Sequence, residues 1–222
     1  LMQLSAVLNV YRGDKNLNEI GKLLAIAKKS SGTSKLTNFN GNLTSRAVDF
    51  CFTDTHPNSV SLSKCSYHFE AGTTTAVSGN LGAGKSTFLR LITGKLAPRS
   101  GQVLIDGVEM QQILPDWWKA HYGYLSEDPY FLEETLHAYL GQWGGDDNSI
   151  SMALVQSGLK SLVDHLPRGV NTPLRDHSLT GLKIRKRIGL AGIIAKQPPL
   201  IVLDEPTAGL DPQTALIFYN FI

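Results

Sequence analysis

Two short stretches of this chain carry side chains whose types and spacing could do chemistry. The first is Gly79-Asn80-Leu81-Gly82-Ala83-Gly84-Lys85-Ser86-Thr87, in which Gly-x-x-x-x-Gly-Lys-Ser follows an apolar run and precedes a helical pattern. Glycines at these places let the backbone curl until consecutive amide N–H groups converge on one point. That point is the start of a helix, where the first amides lack intrahelical partners and the peptide dipoles favour negative charge. Such a loop is suited to a phosphate chain: Lys85 would reach the outer phosphates and the Ser86 hydroxyl would face Mg²⁺. The second stretch is Leu200-Ile201-Val202-Leu203-Asp204-Glu205, an apolar run that ends in two acids. There Asp204 suits a bound metal ion, and Glu205 suits the polarisation of an attacking water. An acid pair after a strand is by itself also the pattern of a solvated turn. Its position downstream of a glycine loop is what favours the chemical reading. The ligand implied is a nucleoside triphosphate, with ATP and Mg²⁺ as the expected pair.

These groups must be positioned by the elements around them. Residues 1–29 place apolar side chains at helical spacing, which predicts two short amphipathic helices, and the run Lys28-Lys29-Ser30-Ser31-Gly32-Thr33-Ser34 reads as a polar linker. A boundary is expected near residue 40. Beyond it, strands are expected at 47–52, 60–69, 73–78, 100–107 and 122–126, and a helix at 86–96. The pattern over 135–166 is helical, broken by a loop at Gly144-Gly145-Asp146-Asp147-Asn148. A basic helical segment spans 183–195, and 200–205 is expected to be a central parallel strand whose carboxyl end opens on a ligand crevice. Strands alternating with helices around a phosphate loop give an α/β protein with a largely parallel core sheet.

Composition narrows the class without choosing it. With 42% hydrophobic and 18% charged residues in 222, the chain is ordinary for a globular protein. A formal net charge of +2 gives no reason to expect a nucleic-acid partner. Cys51 and Cys65 lack metal-site spacing and are expected to be thiols of a reducing compartment. The six histidines are scattered and none has the neighbours of a catalytic triad. No apolar run is long enough to span a bilayer. Both ends interrupt apolar periodicity, so the chain is expected to be a piece of a longer protein, truncated at its C-terminus.

Taken together, these motifs resemble the nucleotide-binding domain of ATP-binding-cassette (ABC) proteins, and among them the exporters. The resemblance runs from about Asn42 onward. Gly79 to Thr87 matches the Walker A motif, Leu200 to Glu205 followed by Pro206-Thr207 matches Walker B, and Ala208-Gly209-Leu210-Asp211 matches the D-loop. The resemblance implies a P-loop NTPase fold with a RecA-like core, an antiparallel β subdomain and a helical subdomain at about 127–191, with residues 1–40 leading toward a transmembrane region. It also implies two such domains enclosing two ATP molecules, a transmembrane domain in the same or a partner chain, and a place at the cytoplasmic face of a membrane, with this piece itself soluble. The other expectations from the same motifs are an ATP-binding regulatory module, degenerate in catalysis, and an ABC ATPase without a membrane partner.

Several positions depart from the family pattern. Phe52 takes the place of the aromatic residue, usually Tyr, that stacks on adenine, and keeps the π face. Glu127 stands where the family has the Q-loop glutamine, so a carboxylate there would either hold the metal more strongly or repel the nucleotide. The signature, usually Leu-Ser-Gly-Gly-Gln, falls on Thr180-Gly181-Leu182-Lys183-Ile184, or one residue earlier from Leu179, and loses a glycine of its pair. Thr180 and Gly181 would then face the γ-phosphate held by the opposite domain. Leu182 would hinder close approach, and Lys183 would offer a point charge instead. The cations Lys183, Arg185, Lys186 and Arg187 are expected on the solvated face of the signature helix.

Overall fold

A computed structural model gives the structure of the protein, and it describes residues 32–37, 39–52, 60–132, 135–142 and 145–222. The two helices expected within residues 1–29 lie outside the described residues. The first sheet is antiparallel, with strand order β2-β1-β3-β4, built from β1 (Leu43–Cys51), β2 (Val60–Phe69), β3 (Ser100–Ile105) and β4 (Val108–Glu109). Its register sets Leu43 opposite both Phe69 and Ile105. Side chains of β1 alternate between buried and open, and the alternation slips at Arg46-Ala47, where a register shift interrupts both ladders. Gly101 lies against that irregularity at φ +81°, and a Cβ there would stand 2.3 Å from the Ala47 carbonyl oxygen. No side chain fits. Asp106 and Gly107, at φ 48° and 83°, make the two-residue turn between β3 and β4 that Asp-Gly favours.

The inner face of this sheet packs Leu43, Val48, Phe50, Val103 and Ile105 against Leu91 and Ile92 of α1 (Lys85–Ile92) and Trp118 of α2 (Pro115–His121). Trp118 donates Nε1–H to the Thr93 carbonyl at 3.0 Å, which satisfies its polar edge in the core and fixes the end of α1. A second layer is helical: α3 (Leu136–Gly141), α4 (Asp147–Gln156), α5 (Lys160–Asp164) and the long α6 (Leu182–Lys196) enclose Leu136, Leu140, Ile150, Leu154, Leu159, Val163, Leu179 and Ile188. Between the two layers lies a parallel pair, β5 (Tyr122–Leu125) and β6 (Leu200–Leu203), in which Tyr124 is opposite Val202. There Leu125 packs with Leu190 and Ile193 of α6 and Phe218 of α7 (Pro212–Phe221).

Three sequence expectations are corrected. Residues 73–78 form no strand: they are exposed and join neither sheet among the described residues. An extended run becomes a strand only through a ladder partner, and no neighbouring edge supplies one. For the same reason the parallel pairing is confined to β5 and β6, and the larger sheet is the antiparallel one. Of the loop expected at 144–148, Asp147 and Asn148 instead open α4, because Asp146 caps that helix by accepting from the Ser149 amide at 2.9 Å. The sequence reading also passed over α2 and α7, each of which opens on a proline in its first turn.

Candidate functional site

The glycine loop turns directly into α1. Gly82 and Gly84 take φ 79° and 86°, and the Ala83 amide donates to the Asn80 carbonyl at 3.1 Å, which closes the curl. Gly84 caps the helix through its backbone conformation, with no side-chain bond and no acidic residue in the first turn. No side chain of the cap or the first turn therefore meets the amides that open α1. Leu81, at the tip, is 99% exposed, so it can contribute only its backbone. Thr87 is buried.

Lys85 leads α1 and bends back along the loop, donating Nζ–H to the carbonyls of Gly79 at 3.0 Å and Asn80 at 3.2 Å. The same ammonium lies 4.0 Å from Oε1 of Glu205. Ser86, the next residue, donates its hydroxyl to Oδ1 of Asp204 at 2.8 Å. Asp204 is positioned by the parallel pair: its amide donates to the Leu125 carbonyl at 2.8 Å, one step beyond the ladder of β5 and β6. Its carboxylate is 2% exposed, and the other oxygen, Oδ2, accepts from the Tyr124 hydroxyl at 3.0 Å. Burial first, and then the neighbouring Asp204 charge, push the Tyr124 phenol up to about 12. Lys95 covers the same ring, its Nζ 3.9 Å from the centroid.

Glu205 takes φ 48°, a strained conformation for a residue with a side chain. Lys186 secures it. That lysine is 0% exposed and donates to the Glu205 carbonyl and the Ala208 carbonyl, each at 2.7 Å. Here the structure corrects the expectation of a solvated basic face on α6: Lys183 is exposed, Arg185 and Arg187 are half-buried, and Lys186 is buried. Lys183 pairs with Asp211, Arg185 donates to Asp128 at 2.6 Å, and Arg187 donates Nε–H to the Ser157 carbonyl at 3.0 Å. Each cation ties α6 to a different segment, and burial is deepest from Lys186 to Ile193, where the helix packs into the core.

The structure thus brings Lys85, Ser86, Asp204 and Glu205 together. It leaves Phe52, Glu127, Thr180 and Gly181 without a bond to any of those four among the described residues. Phe52 is 62% exposed and meets Phe50 edge to face at 4.9 Å. Glu127 is exposed, and its charge acts on Lys186. Thr180 turns its hydroxyl to the His177 carbonyl at 3.1 Å, while Gly181 caps α6 without a side-chain bond. Tyr124 and Lys186 escaped the sequence reading. The alternation in Tyr122-Gly123-Tyr124-Leu125 marks a strand but says nothing of what its hydroxyl meets. Lys186 is one cation among four in sequence, and only burial distinguishes it.

A curled glycine loop at a helix start, bonded through its serine to an acid at the tip of a neighbouring parallel strand, defines a phosphate-loop nucleotide-binding domain. Comparison with known proteins makes the class specific. The chain belongs to the ABC transporter family, whose family model matches residues 62–208. It is similar to the ATP-dependent lipid A-core flippase of Bordetella avium, 30% identical over 179 residues that cover 78% of this chain and 30% of that protein. It is also similar to the glutathione/L-cysteine transport system ATP-binding/permease protein CydD of Bacillus subtilis, 32% identical over 206 residues that cover 90% of this chain and 35% of that protein. Among solved structures, a bacterial Atm1-family ABC exporter with ATP bound shares the fold, with a TM-score of 0.76 and 21% identity, over 92% of this chain and 37% of that one. The chain spans about a third of the length of these relatives. Among the described residues, no helix is long and apolar enough to cross a membrane.

Proposed function

We propose that this chain binds ATP with Mg²⁺ and hydrolyses it as the nucleotide-binding part of an ABC exporter, at the cytoplasmic face of a membrane. The observation that carries this reading is the 2.8 Å contact between the Ser86 hydroxyl and Asp204, residues separated by 118 positions in sequence. Oxygens on adjacent corners of a Mg²⁺ octahedron lie about 3 Å apart, so this pair fits the ion's ligand preference. No group of three His, Cys, Asp or Glu side chains that could hold a metal occurs among the described residues, so the remaining ligands would come from phosphate and water. Bound Mg²⁺ would neutralise charge on the triphosphate.

The chain's own residues supply the rest. The opening amides of α1 hold phosphate oxygens, and Lys85 exchanges the Gly79 and Asn80 carbonyls for the outer phosphates. Glu205, with its backbone gripped by Lys186, orients the attacking water. Phe52 offers an exposed ring to the base. Relatives named as ATP-binding/permease proteins support a transmembrane partner in the same or another chain, and the proposal adds a second ABC domain facing the loop. Their names include a lipid A-core flippase, a glutathione/L-cysteine system and a mycobactin importer, so what they share is the nucleotide step.

The test is titration of the full chain with a fluorescent ATP analogue. Lys85→Ala is expected to weaken binding at least 10-fold, and unchanged binding would refute the site. Glu205→Gln should keep the affinity and slow hydrolysis by about 100-fold or more. A second reading, an ATP-binding switch with slow turnover, is favoured by one feature: Leu182 stands at the start of α6 and the neighbouring Lys183 is engaged by Asp211 of its own chain. Under that reading, a site completed by this signature hydrolyses slowly, while a partner domain with an intact signature restores turnover at this chain's own loop.

A further inference from the structure

We propose that Tyr124 is a positioning residue for Mg²⁺ binding: its hydroxyl holds Oδ2 of Asp204 so that Oδ1 stays aimed at Ser86 and the metal. This rests on the reading of Ser86 and Asp204 as the Mg²⁺ holders.

The argument is geometric. The carboxylate of Asp204 is 2% exposed, so water does little to set its rotation. Its two oxygens have different partners, Ser86 on Oδ1 at 2.8 Å and Tyr124 on Oδ2 at 3.0 Å. Ser86 belongs to the helix that follows the phosphate loop, whereas Tyr124 belongs to β5, the strand in register with β6, which leads to Asp204. The tyrosine therefore shares a frame with the acid it holds, while the serine shares a frame with the phosphate cradle. Ser86 and Asp204 would give up the bond between them if they held a Mg²⁺ ion together. The Tyr124 bond then remains to fix the carboxylate. The ring is itself held, with the Lys95 ammonium 3.9 Å from its centroid. Partners of this kind orient a metal ligand without touching the metal, and their loss weakens metal binding by about 10- to 100-fold.

Tyr124→Phe keeps the ring and its contact with Lys95 and removes the hydroxyl, with its bonds to Asp204 and Arg90. The measurement is Mg²⁺ titration of the full chain with a fluorescent ATP analogue, beside nucleotide binding in EDTA. The expected result is a half-saturating Mg²⁺ concentration raised about 10- to 100-fold, with metal-free nucleotide affinity unchanged. Equal Mg²⁺ dependence in variant and wild type would overturn the proposal and leave the phosphate site standing. A wild type that shows no Mg²⁺-dependent nucleotide binding would overturn both. Should Tyr124→Phe fail to fold, Tyr124→Leu is expected to show the same loss, and failure of both to fold would overturn positioning in favour of a structural role.

Discussion

Asp204 and Lys186 show how few side chains decide this site. Asp204 is a buried carboxylate satisfied by two hydroxyls, one on each oxygen, which aim it. Lys186 is the complementary case, a buried cation that neutralises no carboxylate directly and instead gathers two carbonyls of the turn after β6. Burial lowers its pKa, and the surrounding acids, Glu127 and Glu205 first, oppose that shift. Replacing Lys186 with Met fills much of the volume but leaves both carbonyls without their charged donor. Chemical denaturation should show a loss of about 2–4 kcal/mol, since each hydrogen bond to a charged group contributes about 1.5–3 kcal/mol. ATP hydrolysis should fall as well, through the loosened Glu205. At Ser86 the expected outcome is narrower: Ser86→Ala should weaken Mg²⁺-dependent nucleotide binding while leaving binding in EDTA intact, as read by the same titration.

Among the elements, α6 and α7 are joined end to end by one acid. Asp211 caps α7, accepting from the Thr214 amide at 3.0 Å and its hydroxyl at 2.9 Å, and it also pairs with Lys183 in the first turn of α6. The Lys183 hydrogen bond, followed by the Thr214 amide, holds the Asp211 carboxyl well below the usual carboxylate range. A carboxyl depressed in the folded state gives its full stabilisation above the unfolded value of about 3.9 and loses it as pH falls toward the folded value. Asp146 and Asp176, depressed by bonds to Ser149 and Ser178, act in the same direction. Stability measured by denaturant titration should therefore decline as pH falls from about 5 to 3, and Asp211→Asn should flatten that decline. A slope unchanged by Asp211→Asn would show that the cap and ion pair contribute nothing in this window.

The whole molecule divides its apolar burial between the sheet with α1 and α2 and the helical layer around α6, with β5, β6 and α7 between them. The candidate site lies on the seam: Lys85 and Ser86 come from the first region, and Asp204 and Glu205 from the tip of β6. A ligand that bridges the seam stabilises the assembly by mass action, about 2.7 kcal/mol at a concentration 100 times its dissociation constant. MgATP should therefore raise the melting temperature by several degrees in calorimetry, and Lys85→Ala should cut that rise by about half or more. In contrast, Leu154→Ala, deep in the helical layer and 2% exposed, should cost about 2–5 kcal/mol while leaving nucleotide affinity nearly unchanged.

The sequence by itself determined what depends on neighbours along the chain. The curl at Gly82 and Gly84, the helix beginning beside Lys85, the bounds of β2 and the strand run before Asp204 follow from local sterics and periodicity, which a linear pattern records. The tertiary structure decided what depends on partners far away in sequence. Thr73 to Ser78 has the composition of a strand and meets no ladder; Lys186 looks like its three charged neighbours and is buried; Tyr124 finds Asp204 across 80 residues. Burial and pairing are properties of the packed chain, because a hydrogen bond or a desolvated charge takes its energy from groups whose proximity no spacing rule encodes.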